Sequence, residues 1–327
     1  MDRPFRWCFI GTGTLADTVA KAITASGRHQ VATAYTRRFE KAKAFCDQYG
    51  GTPCESPEAA VASGEVDGVY IVTPHNSHYE YAKLALTLGK PVLCEKAFTV
   101  DAAQARELIE LARAKGVYLA EAMWTWFAPV ANQVKRWLDA GEYGEIQGAY
   151  ANYHMNGKRY APRVTDPMTA GGALLDVGVY PITYFYRLFG RPTAIRCTGT
   201  LKGGIDLHED IDMTFPNGKT FRCSASIDDW KGLERFVIRG SRAKTSLWFF
   251  HSAGKVKLAR KGGPCERFEG DGGYLNEFDC AAREIREGLT ESRLVPLEAT
   301  LDVMEIMDEC RRQLGLVYPF ERDRASR

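Results

Sequence analysis

Apolar and polar positions along the first 122 residues follow two alternating patterns. Short apolar runs predict strands, and most are followed by a stretch with apolar residues three or four positions apart, which predicts a helix. The predicted strands are 6–10, 30–36, 68–72, 92–94 and 117–120, and the predicted helices are one that ends at Gly27, 40–49, 57–63, 79–88 and 101–115. This alternation is typical of a doubly wound parallel sheet, so we predict an α/β domain over residues 1–122.

From Met123 onward the pattern changes. A predicted helix at 129–140 precedes a strictly alternating strand at 146–154, and six further strands are predicted at 193–201, 209–214, 221–227, 235–239, 245–250 and 255–258. A Pro216-Asn217-Gly218 turn predicts a hairpin, and the helices 274–287 and 297–314 close the chain. We therefore predict a second, α+β domain over residues 123–327 with a large, mostly antiparallel sheet, and disorder in the last seven or so residues.

Composition narrows the class of protein. The 327 residues are 45% hydrophobic and 26% charged, with a net charge of +2, so nothing favours a nucleic-acid or membrane partner. The N-terminus leads straight into a predicted strand, so we expect no signal peptide. The nine cysteines are scattered, without a CxxC pair or a Cys/His cluster. We expect free thiols in a reducing cytoplasm, and neither a metal site nor a disulfide framework.

A glycine-rich turn, Gly11–Ala16 (GTGTLA), lies between the first predicted strand and helix. The first glycine permits a tight turn, the second lets a pyrophosphate approach the backbone, and the small Ala16 allows close packing of helix on strand. Because a second strand follows, the turn predicts a dinucleotide site in a Rossmann domain, with a merely structural turn as the alternative.

The end of the second predicted strand indicates which dinucleotide is preferred. An NAD site usually has Asp or Glu there, whereas this chain has Arg37 and Arg38. Guanidinium groups suit a 2′-phosphate, so we predict NADP, with NAD as the second choice. The alternative is a pair of solvated arginines at the start of a helix.

Two more strand ends carry polar residues. The loop 73–78 (TPHNSH) is expected to cover the cofactor, with His78 capping or orienting it rather than acting as a metal ligand or a base. Glu95 and Lys96 follow the buried run 92–94, at the edge where open parallel sheets bind ligands. A surface ion pair is the alternative.

In the second domain, the stretch 171–181 (GGALLDVGVYP) spaces Asp176 and Tyr180 one helical turn apart. A nearby ammonium would stabilise a phenolate, so Lys96 and Tyr180 are candidates for an acid/base pair across the interdomain cleft. A helix cap and a core tyrosine are the alternative.

Taken together, the GxGxxA turn, Thr-Pro-x-x-x-His, Val-Leu-Cys-Glu-Lys and Gly-Gly-Ala-Leu-Leu-Asp-x-Gly-x-Tyr resemble the glucose–fructose oxidoreductase / inositol dehydrogenase (Gfo/Idh/MocA) family over essentially the whole chain. Within it, the segments 121–127 (EAMWTWF) and 176–181 look most similar to the trans-1,2-dihydrodiol dehydrogenase / D-xylose dehydrogenase branch. One departure is Ala97, which stands where the family motif has proline, so packing must hold Lys96.

The resemblance implies a role for particular residues. It makes Lys96, Tyr180 and Asp176 the catalytic group, with Tyr180 as general acid/base. Cofactor-binding candidates are Gly11, Thr12, Gly13, Thr14, Leu15, Arg37, Arg38, Thr73, Pro74, His75, His78, Glu95 and Lys96. Candidates for the substrate wall are Trp124, Trp126, His154 and Phe278.

The function that follows is an NADP-dependent oxidoreductase acting on a secondary alcohol or ketone, or on a lactol or lactone, of a polyol, sugar or cyclic diol. The alternatives are a silent NADP-binding sensor of the same fold and, less consistent with the paired arginines, a methyltransferase. The open face of the second sheet predicts a homodimer or homotetramer.

Overall fold

The structure, a computed structural model, describes residues 3–159 and 162–321. The chain forms two compact units. The first comprises the described residues up to Trp124 together with Tyr274–Leu301, and the second comprises those of Thr125–Gly273 and those from Asp302 onward. The predicted boundary after residue 122 lies close to the first crossing, but Tyr274–Leu301 groups with the first unit. The disorder predicted at the C-terminus falls largely on residues 322–327, outside the described residues.

The first unit contains a six-stranded parallel sheet with the order β3-β2-β1-β4-β5-β6. Its strands are β1 Phe5–Ile10, β2 His29–Tyr35, β3 Thr52–Pro53, β4 Gly68–Ile71, β5 Val92–Glu95 and β6 Leu119–Ala122. The helices between them are α1 Thr14–Ala25, α2 Phe39–Tyr49, α3 Pro57–Ala62, α4 His78–Thr87 and α5 Ala102–Lys115. The predicted doubly wound parallel sheet is confirmed.

Local chemistry explains why these helices begin and end where they do. The Asp101 side chain accepts from the Gln104 N–H (2.8 Å) at the start of α5. Gly116 ends the same helix with φ of 61°, a left-handed conformation that glycine adopts freely. The Val117 N–H still bonds to the Ala112 carbonyl (3.0 Å), which delays β6 to residues 119–122 instead of the predicted 117–120.

The direction in which successive strands are added to the sheet reverses at β1, which lies between β2 and β4. The chain crosses from one side of β1 to the other between β3 and β4, which makes a topological switch point. In open α/β sheets, ligands bind at the carboxyl ends of the strands beside such a point. The Gly11 turn follows β1 and the Thr73 loop follows β4, so both lie there.

The remaining elements are helices α6 to α10 and strands β7 to β14. The helices are α6 Trp124–Phe127, α7 Pro129–Asp139, α8 Val179–Phe189, α9 Leu275–Arg286 and α10 Leu297–Leu314. The strands are β7 Ile146–His154, β8 Ala194–Lys202, β9 Ile205–Thr214, β10 Thr220–Ser226, β11 Glu234–Gly240, β12 Ala243–Trp248, β13 Lys255–Arg260 and β14 Glu266–Glu269.

Strands β7 to β14 form an eight-stranded sheet with the order β14-β13-β12-β11-β7-β10-β9-β8. Only the β7–β10 pair is parallel, so the predicted, mostly antiparallel sheet is confirmed. The turn at Pro216-Asn217-Gly218 joins β9 to β10, and the Phe215 N–H donates to the Lys219 carbonyl (2.9 Å). Strand β14 was not predicted, because its sequence Glu-Arg-Phe-Glu is short and mostly charged.

Helix α9 lies in the first unit because it supplies part of that unit's core. Phe278, Ala281 and Ala282 are buried in a cluster with residues of β1, β4 and β5. The Phe278 ring contacts the rings of Trp7 and Tyr70, with centroids 5.1 and 4.9 Å away. A contiguous boundary drawn from sequence has no means of detecting this return of the chain.

Three further observations concern the thiols, metal binding and membrane spans. All nine cysteines are unpaired thiols. In the part of the chain that the structure describes, no group of three or more His, Cys, Asp or Glu side chains is placed to hold a metal ion. No described helix combines the length and apolar character needed to cross a membrane.

Candidate active-site residues in the two units

The two glycines of the first turn have different surroundings. Gly11 has φ of 109°, and a Cβ placed on it would lie 2.6 Å from the Val72 carbonyl oxygen. Gly13 caps α1 in an extended conformation, and a Cβ there would meet nothing within 4 Å. Gly11 is therefore required for the chain to pass the end of β4, whereas Gly13 leaves space above the helix.

That space is lined by polar groups suited to an anion. The Thr12 hydroxyl is buried and has no hydrogen-bond partner among the described residues. No described side chain caps the N-terminus of α1, so its first N–H groups point outward with the positive end of the helix dipole. Thr14 and Leu15 form the first turn of this helix. These residues fit a dinucleotide diphosphate.

Arg37 and Arg38 follow the carboxyl end of β2 and are exposed. Neither guanidinium forms an ion pair with a described residue, although 26% of the chain is charged. Arg38 precedes α2 in an extended conformation. Two unpaired guanidinium groups at this edge of the sheet fit a ribose 2′-phosphate.

The loop after β4 is organised from within by His78. This residue is fully buried, and its ring nitrogens lie 2.8 Å from the Thr73 carbonyl oxygen and 3.0 Å from that of Ala97. The buried ring of His75 packs against it, while Thr73 and Pro74 are half-buried at the surface. His78 thus orients the loop, and Thr73 and Pro74 are more accessible than the histidine itself.

Lys96 emerges where β5 ends. Glu95, 3% exposed, accepts from the Tyr70 hydroxyl (2.7 Å) and from the Lys96 N–H (3.3 Å). The Lys96–Ala97 peptide is cis. Ala97 is fully buried and His78 holds its carbonyl, so packing and a hydrogen bond secure the backbone where the family motif has proline.

Two more buried acids lie near Glu95. Glu121 on β6 pairs with Cys94 on β5. Burial, aided by the charge of Glu95, raises the pKa of Glu121 to about 7. The Thr300 hydroxyl, which donates to the Glu121 carboxylate (3.0 Å), acts in the opposite direction. Glu277 on α9 is fully buried, and neither of its carboxyl oxygens has a hydrogen-bond partner in the described chain. Burial and the charge of Glu95 raise the pKa of Glu277 well above its usual value, which favours its neutral form.

In the second unit, Asp176 and Tyr180 lie on consecutive helical segments. The predicted single helix is a π-helical turn, Leu174–Gly178, that leads into α8. Asp176 is 5% exposed and accepts from Arg163 (2.9 Å), while Tyr180 is 7% exposed. Gly171 lies against backbone, since a Cβ on it would be 2.5 Å from the Arg163 carbonyl oxygen. Its neighbour Gly172 lies against the Asp206 side chain instead.

Two aromatic rings surround Tyr180. The ring centroids of Tyr153 and His251 are each 5.6 Å from that of Tyr180 and 4.9 Å from one another. The sequence reasoning missed both residues, together with Glu234, which binds His251. The available signal was alternation along β7, which puts Tyr153 and His154 on opposite faces of the sheet.

That alternation changes one predicted wall residue. His154 shares a face with Tyr150 and Asn152, and its ring nitrogens lie 2.8 Å from the Ser224 hydroxyl and 3.2 Å from Asp229. Tyr153, on the other face, contacts Tyr180. We therefore replace His154 by Tyr153 as the candidate from this strand.

The other predicted wall residues also differ in their surroundings. Phe278 is fully buried in the core of the first unit, away from solvent, so it packs rather than lines a site. Trp124 lies against Tyr274, with ring centroids 4.7 Å apart. Trp126, in the second unit, stacks on Tyr186, and Arg187 lies over its ring at 5.0 Å. Trp124 and Trp126 remain candidates, each 5% exposed.

Comparison with known proteins places this chain among oxidoreductases. Residues 5–123 match the Gfo/Idh/MocA model described as an oxidoreductase family with an NAD-binding Rossmann fold, and residues 131–246 match the Gfo/Idh/MocA C-terminal domain. The chain is 32% identical to D-xylose 1-dehydrogenase (NADP(+)) of Hypocrea jecorina, covering 96% of this chain and 93% of that one. It is 30% identical to trans-1,2-dihydrobenzene-1,2-diol dehydrogenase of Mus musculus, covering 96% and 98%.

Solved structures show the same likeness. A 3-ketoreductase from Actinomadura kijaniata in complex with NADP and TDP-benzene superimposes with a TM-score of 0.86 at 26% identity, covering 95% of this chain and 98% of that one. The aldose-aldose oxidoreductase from Caulobacter crescentus, complexed with glycerol, shares the fold, with a TM-score of 0.86 at 20% identity over 96% of this chain and 98% of that one.

Proposed function

The chain belongs to the Gfo/Idh/MocA family of oxidoreductases, and we propose that it uses NADP to interconvert a secondary alcohol and a ketone, or a lactol and a lactone, on a sugar or cyclic diol. The observation that carries this proposal is a group of residues in the first unit that is suited to bind phosphate groups. Within the described residues, the buried Thr12 hydroxyl has no hydrogen-bond partner, no side chain caps the N-terminus of α1, and the two arginines after the next strand form no ion pair.

We assign the cofactor to the residues that fit its parts. Gly11–Leu15 would hold the diphosphate, Arg37 and Arg38 the 2′-phosphate, and the Thr73-Pro74 loop with Glu95 and Lys96 the remainder. When bound, the nicotinamide accepts a hydride from the substrate carbon or donates one to it. The protein's own contribution is to bind, to orient and to move a proton.

We assign that proton to Tyr180. During oxidation its phenolate takes the proton of the substrate hydroxyl, and during reduction its phenol returns a proton to the carbonyl oxygen. Lys96 stabilises the phenolate and holds the substrate oxygen, since an ammonium lowers the pKa of a phenol near it. Asp176, held by Arg163, orients the substrate. Support comes from the family motifs that carry these residues and from the low exposure of Tyr180 and Asp176.

A sugar or cyclic diol suits the aromatic residues of the candidate site. Flat rings such as those of Trp126 and Tyr153 stack on the apolar face of a sugar ring, while a few polar groups fix its hydroxyls. The names of the relatives, a D-xylose dehydrogenase and dihydrodiol dehydrogenases, favour the same substrate class.

We further propose that the chain forms a homodimer or homotetramer. Tyr150, Arg222 and Trp248 are exposed along one face of the eight-stranded sheet, and two of them are large aromatic residues. A second copy covering this face would bury them. Light scattering coupled to size-exclusion chromatography tests this, and a monomeric mass at micromolar concentration would contradict it.

One experiment tests the main proposal. The purified chain is given NADP or NAD with a panel of aldoses, polyols and cyclic diols, and NADPH with the corresponding ketones, and the reduced-nicotinamide absorbance is followed. We expect turnover with NADP on a sugar or diol. Tight NADPH binding without turnover on any compound would instead support a cofactor sensor, and turnover only with NAD would remove the role given to Arg37 and Arg38.

A further inference from the structure

An imidazole lies beside Tyr180 in the second unit. His251 lies on the loop after β12, and its ring contacts those of Tyr180 and Tyr153 at centroid distances of 5.6 and 4.9 Å. Its side chain is 22% exposed. A half-buried imidazole next to the proposed acid/base phenol is chemically suited to exchange a proton with it.

Glu234 fixes the orientation of this imidazole. One carboxyl oxygen accepts from the His251 backbone N–H (2.7 Å) and the other from its Nδ1–H (2.6 Å). Glu234 itself is 4% exposed. A carboxylate bonded to Nδ1 keeps the proton on that nitrogen, makes Nε2 the basic one, and stabilises the imidazolium when Nε2 takes up a proton.

The loop is anchored at the two residues before His251. The Phe249 N–H donates to the Glu234 carbonyl (3.1 Å), and Phe249 has φ of 51°. The next residue, Phe250, is buried against the ring of Tyr184 (5.1 Å), which is one helical turn after Tyr180 on α8. The backbone therefore carries His251 to Tyr180 along a fixed path.

We propose that His251, oriented by Glu234, is a positioning residue that supports the Tyr180 phenol and passes its proton to water; the inference rests on the proposed function. After Tyr180 has taken the substrate proton, its O–H bond breaks and an Nε2–H bond forms on His251. Glu234 balances the resulting cation, and the exposed edge of the ring releases the proton to solvent. Reduction runs the same steps in reverse.

The groups that face His251 define what else affects it. They include Glu234 from β11, Tyr153 from β7 and Tyr180 from α8, and the Arg163–Asp176 ion pair lies one helical turn before Tyr180. The alternative is that the hydrogen bonds between Glu234 and His251 only hold the loop after β12 against the sheet. The effect of a substitution must therefore be measured by a property other than the free energy of unfolding.

The first test compares His251→Ala with His208→Ala. His208 is also a partly exposed histidine of this sheet beside a carboxylate, Asp210 (3.5 Å), but lies on β9. We expect His251→Ala to lower kcat about 10- to 100-fold with less than about a threefold change in the substrate KM. Added imidazole should restore part of kcat by occupying the vacated space. His208→Ala should match the parent chain, with no response to imidazole.

The second test needs no turnover, so it separates failure of this inference from failure of the proposed function. The chain is labelled with ¹³Cζ-tyrosine, and Tyr180→Phe identifies the Tyr180 signal. In His251→Ala and in Glu234→Gln that phenol should titrate about one pH unit lower than in the parent chain, because the neutral phenol loses the imidazole nitrogen that accepts its O–H, or faces a weaker acceptor there. An unshifted titration would overturn the inference, as would a parental kcat in His251→Ala or a lost kcat that imidazole leaves unchanged.

Discussion

The two residues assigned to the proton relay are supported in different ways. Lys96 stands at a strand end, and its place follows from backbone: β5 pairs with β4 and β6, and the next carbonyl is held by His78. Tyr180 is surrounded by side chains drawn from β7 and from the loop after β12. We therefore expect the first arrangement to depend mainly on backbone conformation and the second mainly on neighbouring side chains.

Removing the charge at the strand end should have the largest effect. Lys96→Met keeps the length and apolar stem of the side chain and loses the ammonium. We expect kcat to fall about 1,000-fold, since the phenolate would lose the cation proposed to stabilise it, while NADPH binding changes little. Stopped-flow turnover and NADPH fluorescence titration measure the two quantities.

Lys90 provides the matched control, because it lies just before the other end of β5. Its ammonium donates to the Ser63 and Val66 carbonyls (3.1 and 3.0 Å). Lys90→Met should lower stability slightly and leave kcat unchanged. A parental kcat in Lys96→Met would remove this lysine from the mechanism.

The difference between the surroundings of Lys96 and those of Tyr180 also explains which features could be predicted from the sequence. The two ends of α5 depend on residues within a few positions of them, the Asp101 cap and Gly116, and Gly11 and Lys96 each directly follow a short apolar strand. Such features leave a local pattern. The parallel sheet and the location of Lys96 at its edge were accordingly predicted.

Features that depend on distant pairing were not predictable. His251 reaches Tyr180 only because β11 pairs with both β7 and β12, and no local pattern marks it. The strict alternation of β7 shows that Tyr153 and His154 face opposite ways but not which of them faces α8. Phe278 resembles a site aromatic in sequence, whereas the return of α9 to the first unit makes it core.

A substitution in the glycine turn tests whether the stability of the first unit depends on the backbone conformation at Gly11. In Gly11→Ala the new methyl group would clash with the Val72 carbonyl oxygen at a φ of 109°. We expect a loss of about 2–4 kcal/mol in the free energy of unfolding. Gly13→Ala is the control, because its methyl group meets nothing within 4 Å. It should unfold like the parent chain, in urea, yet show a raised KM for NADP. Equal stability of both variants would contradict this assignment.

The buried acids near Lys96 predict a dependence of stability on pH. Burial, aided by Glu95, raises the pKa of Glu121 from 4.5 to about 7. The folded chain therefore binds this proton more tightly than the unfolded chain. The resulting stability is complete below about pH 4.5 and is lost as the pH rises through 7.

Glu121→Gln should remove that loss. Relative to the parent chain, the variant is expected to gain on the order of 2–3 kcal/mol in the free energy of unfolding between pH 5 and pH 8. Glu110→Gln, on the exposed face of α5, should track the parent chain throughout. Urea unfolding at several pH values measures both, and parallel curves for parent and Glu121→Gln would contradict the raised pKa.

A substitution just after the end of β2 should change the preference for NADP over NAD. Arg37→Ser removes an unpaired guanidinium, and we expect the KM for NADP to rise about 10-fold while that for NAD changes little. Arg28→Ser is the control, since Arg28 precedes the other end of β2 and pairs with Asp279 (2.8 Å). It should leave both values unchanged. A similar rise for both cofactors in Arg37→Ser would show that the residue does not read the 2′-phosphate.

The smallest expected effect concerns the loop that carries His251. Phe249 is 63% exposed and adopts φ of 51°, a left-handed conformation that is unfavourable for a bulky side chain. Phe249→Gly relieves this and gives up little packing, although glycine also makes the unfolded chain more flexible. We expect a net gain of about 0.5–1 kcal/mol in the free energy of unfolding. Trp248→Gly, in the extended backbone of β12, should instead lose stability by a similar amount. If both variants lose stability, side-chain packing rather than backbone conformation holds this loop, and the contrast between the two supports becomes sharper.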